Sequence, residues 1–464
     1  MKQVSIWKGT FVIAAIHMLL AGVAFLKDVM LASFFGTSPQ ADALSIALFI
    51  PDTLGNNLVG TAIGVACVPT FAALYAQGSL QRFAMTARQL AVQLLVLMAV
   101  AWVILFAFGD HLVGWLGGGG MQWLCYRLVL ILLPTLVLFP LSAIVNGLLQ
   151  AAEAFQAPAF STVVYNAVFL AGLVLSSVLG LSRTQGAYVG AVSIALGMVT
   201  MTGYVLFRLC RHPGLQGLWR RREQRPSLLH IDADLGTVYR VFGPYLLVLL
   251  FSQSVLIAER YIASSLGEGT VAGLTYAFRL AQFPIWVFVA AINMILLPRM
   301  AKAGAAGDFA GQQREFFKAI GVTLAITVPT AIVFFTARVP IITLLFVRGS
   351  FDAASLHITA DIFAGLAVGI VGQSLASVGL RYYIASSRMK VPACVYFTTA
   401  VLNIGLDTWW VKLWGPAGLG WGSASASALN ASVILLFIMR EIKENKQSQG
   451  GADETFSRRH TVVQ

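Results

Sequence analysis

The stretch LIAERYIASSLGEGTVAGLTYAFRLAQFPIWVFVAAINMILLP, residues 256–298, sets Glu259, Arg260 and Arg279 inside otherwise apolar sequence. An ionisable side chain at the centre of a membrane helix costs at least about 2.5–3.5 kcal/mol, so one retained there marks a candidate substrate or ion path. The composition of the rest of the chain decides whether membrane is the setting.

Over 464 residues the hydrophobic share is 58%, the charged share 11% and the mean hydropathy +0.80. These values lie outside the range of soluble domains and point to a polytopic membrane protein. The net charge of +12 sits between apolar runs, with no aromatic-laced basic module, so phospholipid of the inner leaflet is its expected counter-charge and nucleic acid is not an expected partner. The first apolar run, Phe11 to Leu26, lacks a small-residue cleavage site and reads as a retained first span. Cys67, Cys125, Cys210 and Cys394 stand alone, without CxxC spacing, and read as inert thiols.

A span needs about 20 mostly apolar residues, which predicts about twelve of them. They fall near residues 11–35, 41–65, 86–108, 123–149, 158–180, 187–208, 239–264, 270–297, 316–337, 354–385, 392–411 and 417–439. Arg82 and Arg88, the cluster Arg208, Arg211, Arg220, Arg221, Arg222 and Arg225, then Arg299, Lys302, Arg314 and Lys318, and finally Arg388 and Lys390 fall in alternate loops. Because cytoplasmic loops retain positive charge, both termini are expected in the cytoplasm.

The chain divides into an N-terminal six-helix lobe over 1–208, a basic cytoplasmic linker over 209–238, a C-terminal six-helix lobe over 239–440 and a polar cytoplasmic tail over 441–464, expected to be solvated and disordered. The halves repeat each other. Asp28 to Gly36 and Glu259 to Gly267 share the pattern acid, three residues, Ala-Ser, two residues, Gly; Ala62, Ile63, Pro69, Ala72 and Gly78 recur at the same spacing as Ala291, Ile292, Pro298, Ala301 and Gly307. An even number of spans per copy makes this a parallel repeat, and two lobes around a central cavity the expected architecture.

Lys27-Asp28 and Glu259-Arg260 are adjacent opposite charges at equivalent places in the first span of each half. Two readings of the acids stand side by side: neutralisation within the bundle, or function. For the bases a cavity accepting a lipid-linked phosphate needs fixed cations, and arginine offers a planar fork that matches phosphate oxygens. Arg279 has no acidic residue within four positions along its helix. Asn403 and Asp407 stand one helical turn apart, with Ser423 on the next helix and Glu259 on the seventh. These are hard oxygen ligands of the kind Na+ takes, and equally the makings of an interhelical hydrogen bond. No serine elbow, Walker loop or histidine-rich metal motif occurs, so nothing points to an enzyme.

Residues 36–76, GTSPQADALSIALFIPDTLGNNLVGTAIGVACVPTFAALYA, resemble the second-helix region of the lipid II flippase family (MurJ/MviN), within the multidrug and oligosaccharidyl-lipid exporter superfamily. SAIVNGLLQAAEAFQAPAF (142–160), GTVAGLTYAFRLAQFP (269–284), PIITLLFVRGSFD (340–352) and RYYIASSRMKVPA (381–393) follow family patterns in family order. The resemblance implies a cationic cavity between two lobes and alternating access that carries polyprenyl-pyrophosphate-linked saccharides from the inner to the outer leaflet of the bacterial inner membrane. It puts the family's basic-acidic pair on Lys27 and Asp28, its aspartate before the second helix on Asp42 and its cavity arginine on Arg279. It puts the sodium site on Glu259, Asn403, Asp407, the carbonyl of Leu419, and Ser423. Two departures stand out: where the family carries PNLLRR and then a glutamate, this chain reads PDTLGNN with Gly55 and Asn56 at the arginine positions and Gly60 at the glutamate, and the chain ends after about twelve spans where members typically have fourteen.

The expected function is therefore a flippase for lipid II or a related envelope or exopolysaccharide precursor, with Arg279, Lys27 and Arg260 on the pyrophosphate. No cofactor is expected beyond a coupling Na+ or H+, and peptidoglycan or polysaccharide synthesis proteins are expected partners. A cation-coupled multidrug-type exporter and a transport-incompetent scaffold for envelope synthesis are the competing readings.

Overall fold

The computed structural model describes residues 2–116, 121–215, 232–289, 292, 293, 296, 300, 308–385 and 390–461. Most of the basic linker lies outside the described residues, as do Arg299, Lys302, Arg388 and, from the second repeat element, Ala291, Pro298, Ala301 and Gly307. Among the described residues the chain is helical with no strand. Ten helices among the described residues are long and apolar enough to cross a membrane, so this is a multi-pass membrane protein.

The helices in order are α1 (Lys2–Phe35), α2 (Pro39–Pro51), α3 (Thr61–Ala76), α4 (Leu80–Trp115), α5 (Gln122–Ala151), α6 (Gln156–Val178) and α7 (Arg183–Arg211). They continue as α8 (Ala233–Ser265), α9 (Thr270–Pro284), α10 (Phe309–Thr336), α11 (Arg338–Phe346), α12 (Ala353–Ala385), α13 (Lys390–Trp414) and α14 (Ala417–Thr461). The span expected at 392–411 is α13, and the one expected at 270–297 begins as α9, its residues 290, 291, 294, 295 and 297 lying outside the described residues.

Two expectations change. The second span is not 41–65 but a continuous helical rod of 38 residues, Pro39–Ala76, in which a π-helical segment, Asp52–Gly60, joins α2 to α3. Pro51 has no N–H, so the α-helical hydrogen bond is missing where the wider turn begins. The same device follows Pro284, where Ile285–Val289 is also π-helical. The tail is not a disordered end: α14 runs through it to Thr461. Its glutamates, lysines and glutamines are good helix formers, and they extend a helix whose costly nucleation has already taken place in the apolar part.

The repeat is visible in how helices end. Gly36 closes α1 at φ +58° and Gly267 follows α8 at φ +114°, the left-handed conformation that glycine alone adopts without a Cβ penalty. Contacts gather the chain into two compact units, Met1–Tyr276 with Thr343–His357, and Ala277–Ile342 with Ile358–Gln464. In the first, α5 is the central helix, burying Leu128, Leu132, Leu136 and Ile144. There α8 is tied to α4 by a bidentate ion pair, Arg82 Nη2 to Asp234 Oδ1 at 2.6 Å and Nε to Oδ2 at 2.9 Å, and by Tyr239 donating to Gln93.

In the second unit, Phe316, Tyr382, Tyr383, Ile434 and Ile438 form a buried cluster. Beside it α12 and α14 approach backbone to backbone. A Cβ on Gly369 would sit 3.1 Å from the Cα of Ala424, and one on Gly372 would sit 2.7 Å from the carbonyl carbon of Ser427. Small residues at such a seam let helices pack closely without hydrophobic driving force in lipid. Gly372→Leu is therefore expected to cost about 1–3 kcal/mol or more by overpacking, lowering the thermal unfolding midpoint of the detergent-solubilised protein. Gly405→Ala on α13, where a Cβ meets nothing within 4 Å, is expected to leave the midpoint unchanged or raise it.

Candidate functional site

Within the first unit, polar side chains from four elements converge. On α1, Lys27 Nζ lies 3.3 Å from Asp28 Oδ1 and donates at 3.1 Å to Asn166 Oδ1 on α6. On the π segment, Asp52 accepts from Asn56 Nδ2 at 2.9 Å and from Asn57 Nδ2 at 3.3 Å. The widened turn accounts for this set, since hydrogen bonds spanning five residues bring positions four and five apart onto one edge. On α8, the Arg260 guanidinium lies over the Phe49 ring, its Cζ 4.0 Å from the centroid, a cation–π contact. Arg260 interacts electrostatically with both Glu259 and Asp52, and Asp52 with Lys27 as well. Glu259 itself is 5% exposed.

Gly55 is central to this arrangement. A Cβ there would lie 3.2 Å from Phe139 Cδ2 and 3.3 Å from the Leu136 carbonyl oxygen, so α5 occupies the space that a side chain would need. The missing arginine at this position thus goes with close packing of the π segment on α5, whereas Asn56 is exposed.

Asp42 has a different setting. Its carboxylate accepts from the backbone N–H groups of Gly269 (2.5 Å) and Ala272 (2.7 Å), capping the N-terminus of α9. Around this joint Tyr276 donates to the Gly36 carbonyl at 3.0 Å, the Thr37 N–H donates to Ser355 Oγ at 3.1 Å, and the Ser350 N–H donates to the Ser33 carbonyl at 2.7 Å. The LLFVRGSFD element supplies Phe346 and Phe351, each within 6 Å of the Tyr276 ring. It ends on Asp352, which accepts from the Ser355 N–H at 2.9 Å; that bond holds the Asp352 carboxyl below the usual carboxylate range.

Arg279 belongs to the second unit, on α9 less than two turns before Pro284. Asn403 and Asp407 are buried one turn apart on α13, Asp407 with 0% exposure. The backbone of α14 closes on them: a Cβ on Gly422 would sit 2.7 Å from the Asp407 Cα. Buried Leu419 and half-buried Ser423 flank that contact. Among the described residues Asn403 Oδ1 is buried without a hydrogen-bond partner, and an amide oxygen and a carboxylate one helical turn apart are donors of the type a hard cation takes. Of the residues singled out from the sequence, the first unit holds Lys27, Asp28, Asp42, Glu259 and Arg260, and the second holds Arg279, Asn403, Asp407, Leu419 and Ser423.

Sequence reasoning missed Asp52, Asn57 and Asn166. The available signal was a polar run, Asp52-Thr53 and Asn56-Asn57, in the middle of an apolar helix.

A family model described as lipid II flippase MurJ matches residues 31–459. The lipid II flippase MurJ of Burkholderia cenocepacia is 27% identical over 431 residues, covering 89% of this chain and 79% of that protein. The probable lipid II flippase MurJ of Rhizobium meliloti is 24% identical over 423 residues, covering 89% and 76%. Among solved structures, a lipid II flippase MurJ in an inward closed conformation matches with TM-score 0.78 and 19% identity over 92% of this chain and 87% of that one. An inward-facing MATE-family multidrug transporter of the MOP superfamily matches with TM-score 0.80 and 17% identity over 94% and 99%. These structural likenesses establish the two-lobe fold shared by both groups.

Asp42→Ala would leave the Gly269 and Ala272 N–H groups without their acceptor, and is expected to destabilise the protein by about 1–3 kcal/mol, read as a lower unfolding midpoint, with Asp42→Asn milder. Gly55→Arg is expected to lower the yield of monodisperse protein, while Asn56→Arg, on an exposed position, is expected to be tolerated.

Proposed function

The chain belongs to the lipid II flippase MurJ family, and we propose that it carries lipid II or a closely related polyprenyl-pyrophosphate-linked saccharide from the inner to the outer leaflet of the bacterial inner membrane by alternating access. The observation that supports this best is the family match across residues 31–459. The chemistry of the site is consistent with it, because membrane-embedded arginine and lysine mark a path for an anion.

In this reading Arg279, Lys27 and Arg260 hold the pyrophosphate, with Asp28 fixing Lys27 in place. Asp42 acts on the path indirectly, by setting where α9 begins and hence where Arg279 stands. Both termini are cytoplasmic, and the basic linker meets the anionic inner leaflet. The reset of the empty carrier draws on membrane potential or on a cation. Asn403, Asp407, the Leu419 carbonyl and Ser423, with Glu259, would hold Na+, whose charge would offset the buried carboxylates. The carrier breaks and forms no covalent bond. The multidrug-type alternative rests on fold likeness alone, and an organic cation would meet Arg279 unfavourably.

Complementation of a strain depleted of its lipid II flippase tests this. The wild-type protein is expected to restore growth and lipid II export, and Arg279→Ala to reduce export at least about tenfold at equal membrane abundance, the loss of one charge-assisted pair. Full export by Arg279→Ala would remove that residue from phosphate recognition, and failure of the wild type to complement would remove the flippase reading.

A further inference from the structure

The π segment presents a polar edge that the phosphate chemistry leaves unused. Asn56 and Thr61 are exposed, and Asp52 and Asn57 are half-buried beside them. They lie about the midpoint of the 38-residue apolar rod Pro39–Ala76. An exposed amide and hydroxyl beside a half-buried carboxylate at that depth cannot face hydrocarbon, so this edge lines a water-filled space.

What such an edge binds follows from its groups. Each Asp52 oxygen accepts one amide N–H and keeps a lone pair for a further donor. Each asparagine amide retains an acceptor oxygen and an N–H, and Thr61, which donates to the Asn56 carbonyl at 3.1 Å, retains acceptor lone pairs on its hydroxyl. No basic side chain belongs to the segment, and Gly55 is walled by Phe139 and Leu136. A phosphate is repelled by this carboxylate; vicinal hydroxyls and acetamido groups match it, donating to the carboxylate and exchanging hydrogen bonds with the amides. The neighbourhood supplies the next constraint. Asp52 is electrostatically tied to Arg260 and Lys27, and in a polyprenyl-diphosphate sugar the first sugar ring is bonded directly to the phosphate. A diphosphate held at those bases puts that ring within reach of the π segment.

We propose that Asp52, Asn56, Asn57 and Thr61 form a saccharide subsite that binds the sugar nearest the diphosphate. The inference rests on the flippase reading above. It assigns the π segment to recognition of the uncharged part of the substrate, and Asp52 to specificity.

The test compares two probes, lipid II and undecaprenyl diphosphate without sugar, binding to the purified full-length protein in detergent. The wild type is expected to bind lipid II about tenfold more tightly than the bare diphosphate, as one or two added hydrogen bonds would give. Asn56→Ala/Asn57→Ala and, separately, Asp52→Ser are expected to bring that ratio near unity, with Asp52→Asn between. Each variant is checked for an unaltered unfolding midpoint, and using two independent variants keeps the comparison decisive if one misfolds. A ratio that persists in the folded variants, or a wild type that binds both probes equally, overturns the subsite and leaves the flippase reading standing. A wild type that binds neither overturns both.

Discussion

The constraint from which the structure follows is that a polar group at membrane depth has to find its partner inside the protein. The Asp42 carboxylate answers it at one end of the bundle. Two backbone N–H groups at the start of α9, which no residue of that helix can satisfy, are taken up by an acceptor 227 and 230 positions away. Around that pairing Gly36, Gly269, Ser33, Ser350 and Tyr276 come to their close approaches, so the first turn of α9 is fixed to the start of α2.

The same constraint organises the charges of the first unit. Lys27 and Arg260 are both engaged with the protein's own carboxylates, and Arg260 also spends the face of its guanidinium on Phe49. A cavity of bare cations would bind any anion tightly and release it slowly. In the proposed reading, cations already shared with carboxylates would take up an incoming phosphate by exchange, which suits a carrier that must let its cargo go.

Much of this was legible in the sequence. Apolar runs marked the membrane-crossing helices, and the repeated acid and glycine spacing marked two helices with matching ends at Gly36 and Gly267. The rest was hidden for physical reasons. Hydropathy has no term for one extra residue per turn, so the π segments after Pro51 and Pro284 looked like ordinary helix. The Arg82–Asp234 pair joins residues 152 positions apart, and nothing in either neighbourhood announces the other. In the PDTLGNN run the departure from the family pattern is the absence of arginines at Gly55 and Asn56, and a single Asp52 has no sequence motif that distinguishes it as a site residue. The tail is polar enough to read as disordered, but helix propagation depends on what precedes it, and α14 continues through it.

The adjacency of opposite charges also bears on how the chain is made. Helices enter the membrane in order of synthesis, so α1 and the π segment are inserted before α6 and α8, which carry Asn166 and Arg260, have left the ribosome. Lys27 is next to Asp28, Glu259 is next to Arg260, and Asp52 has Asn56 and Asn57 one turn away in its own rod. Each segment thus brings a local counter-group with it, and can be threaded into the bilayer and wait there until its distant partners arrive.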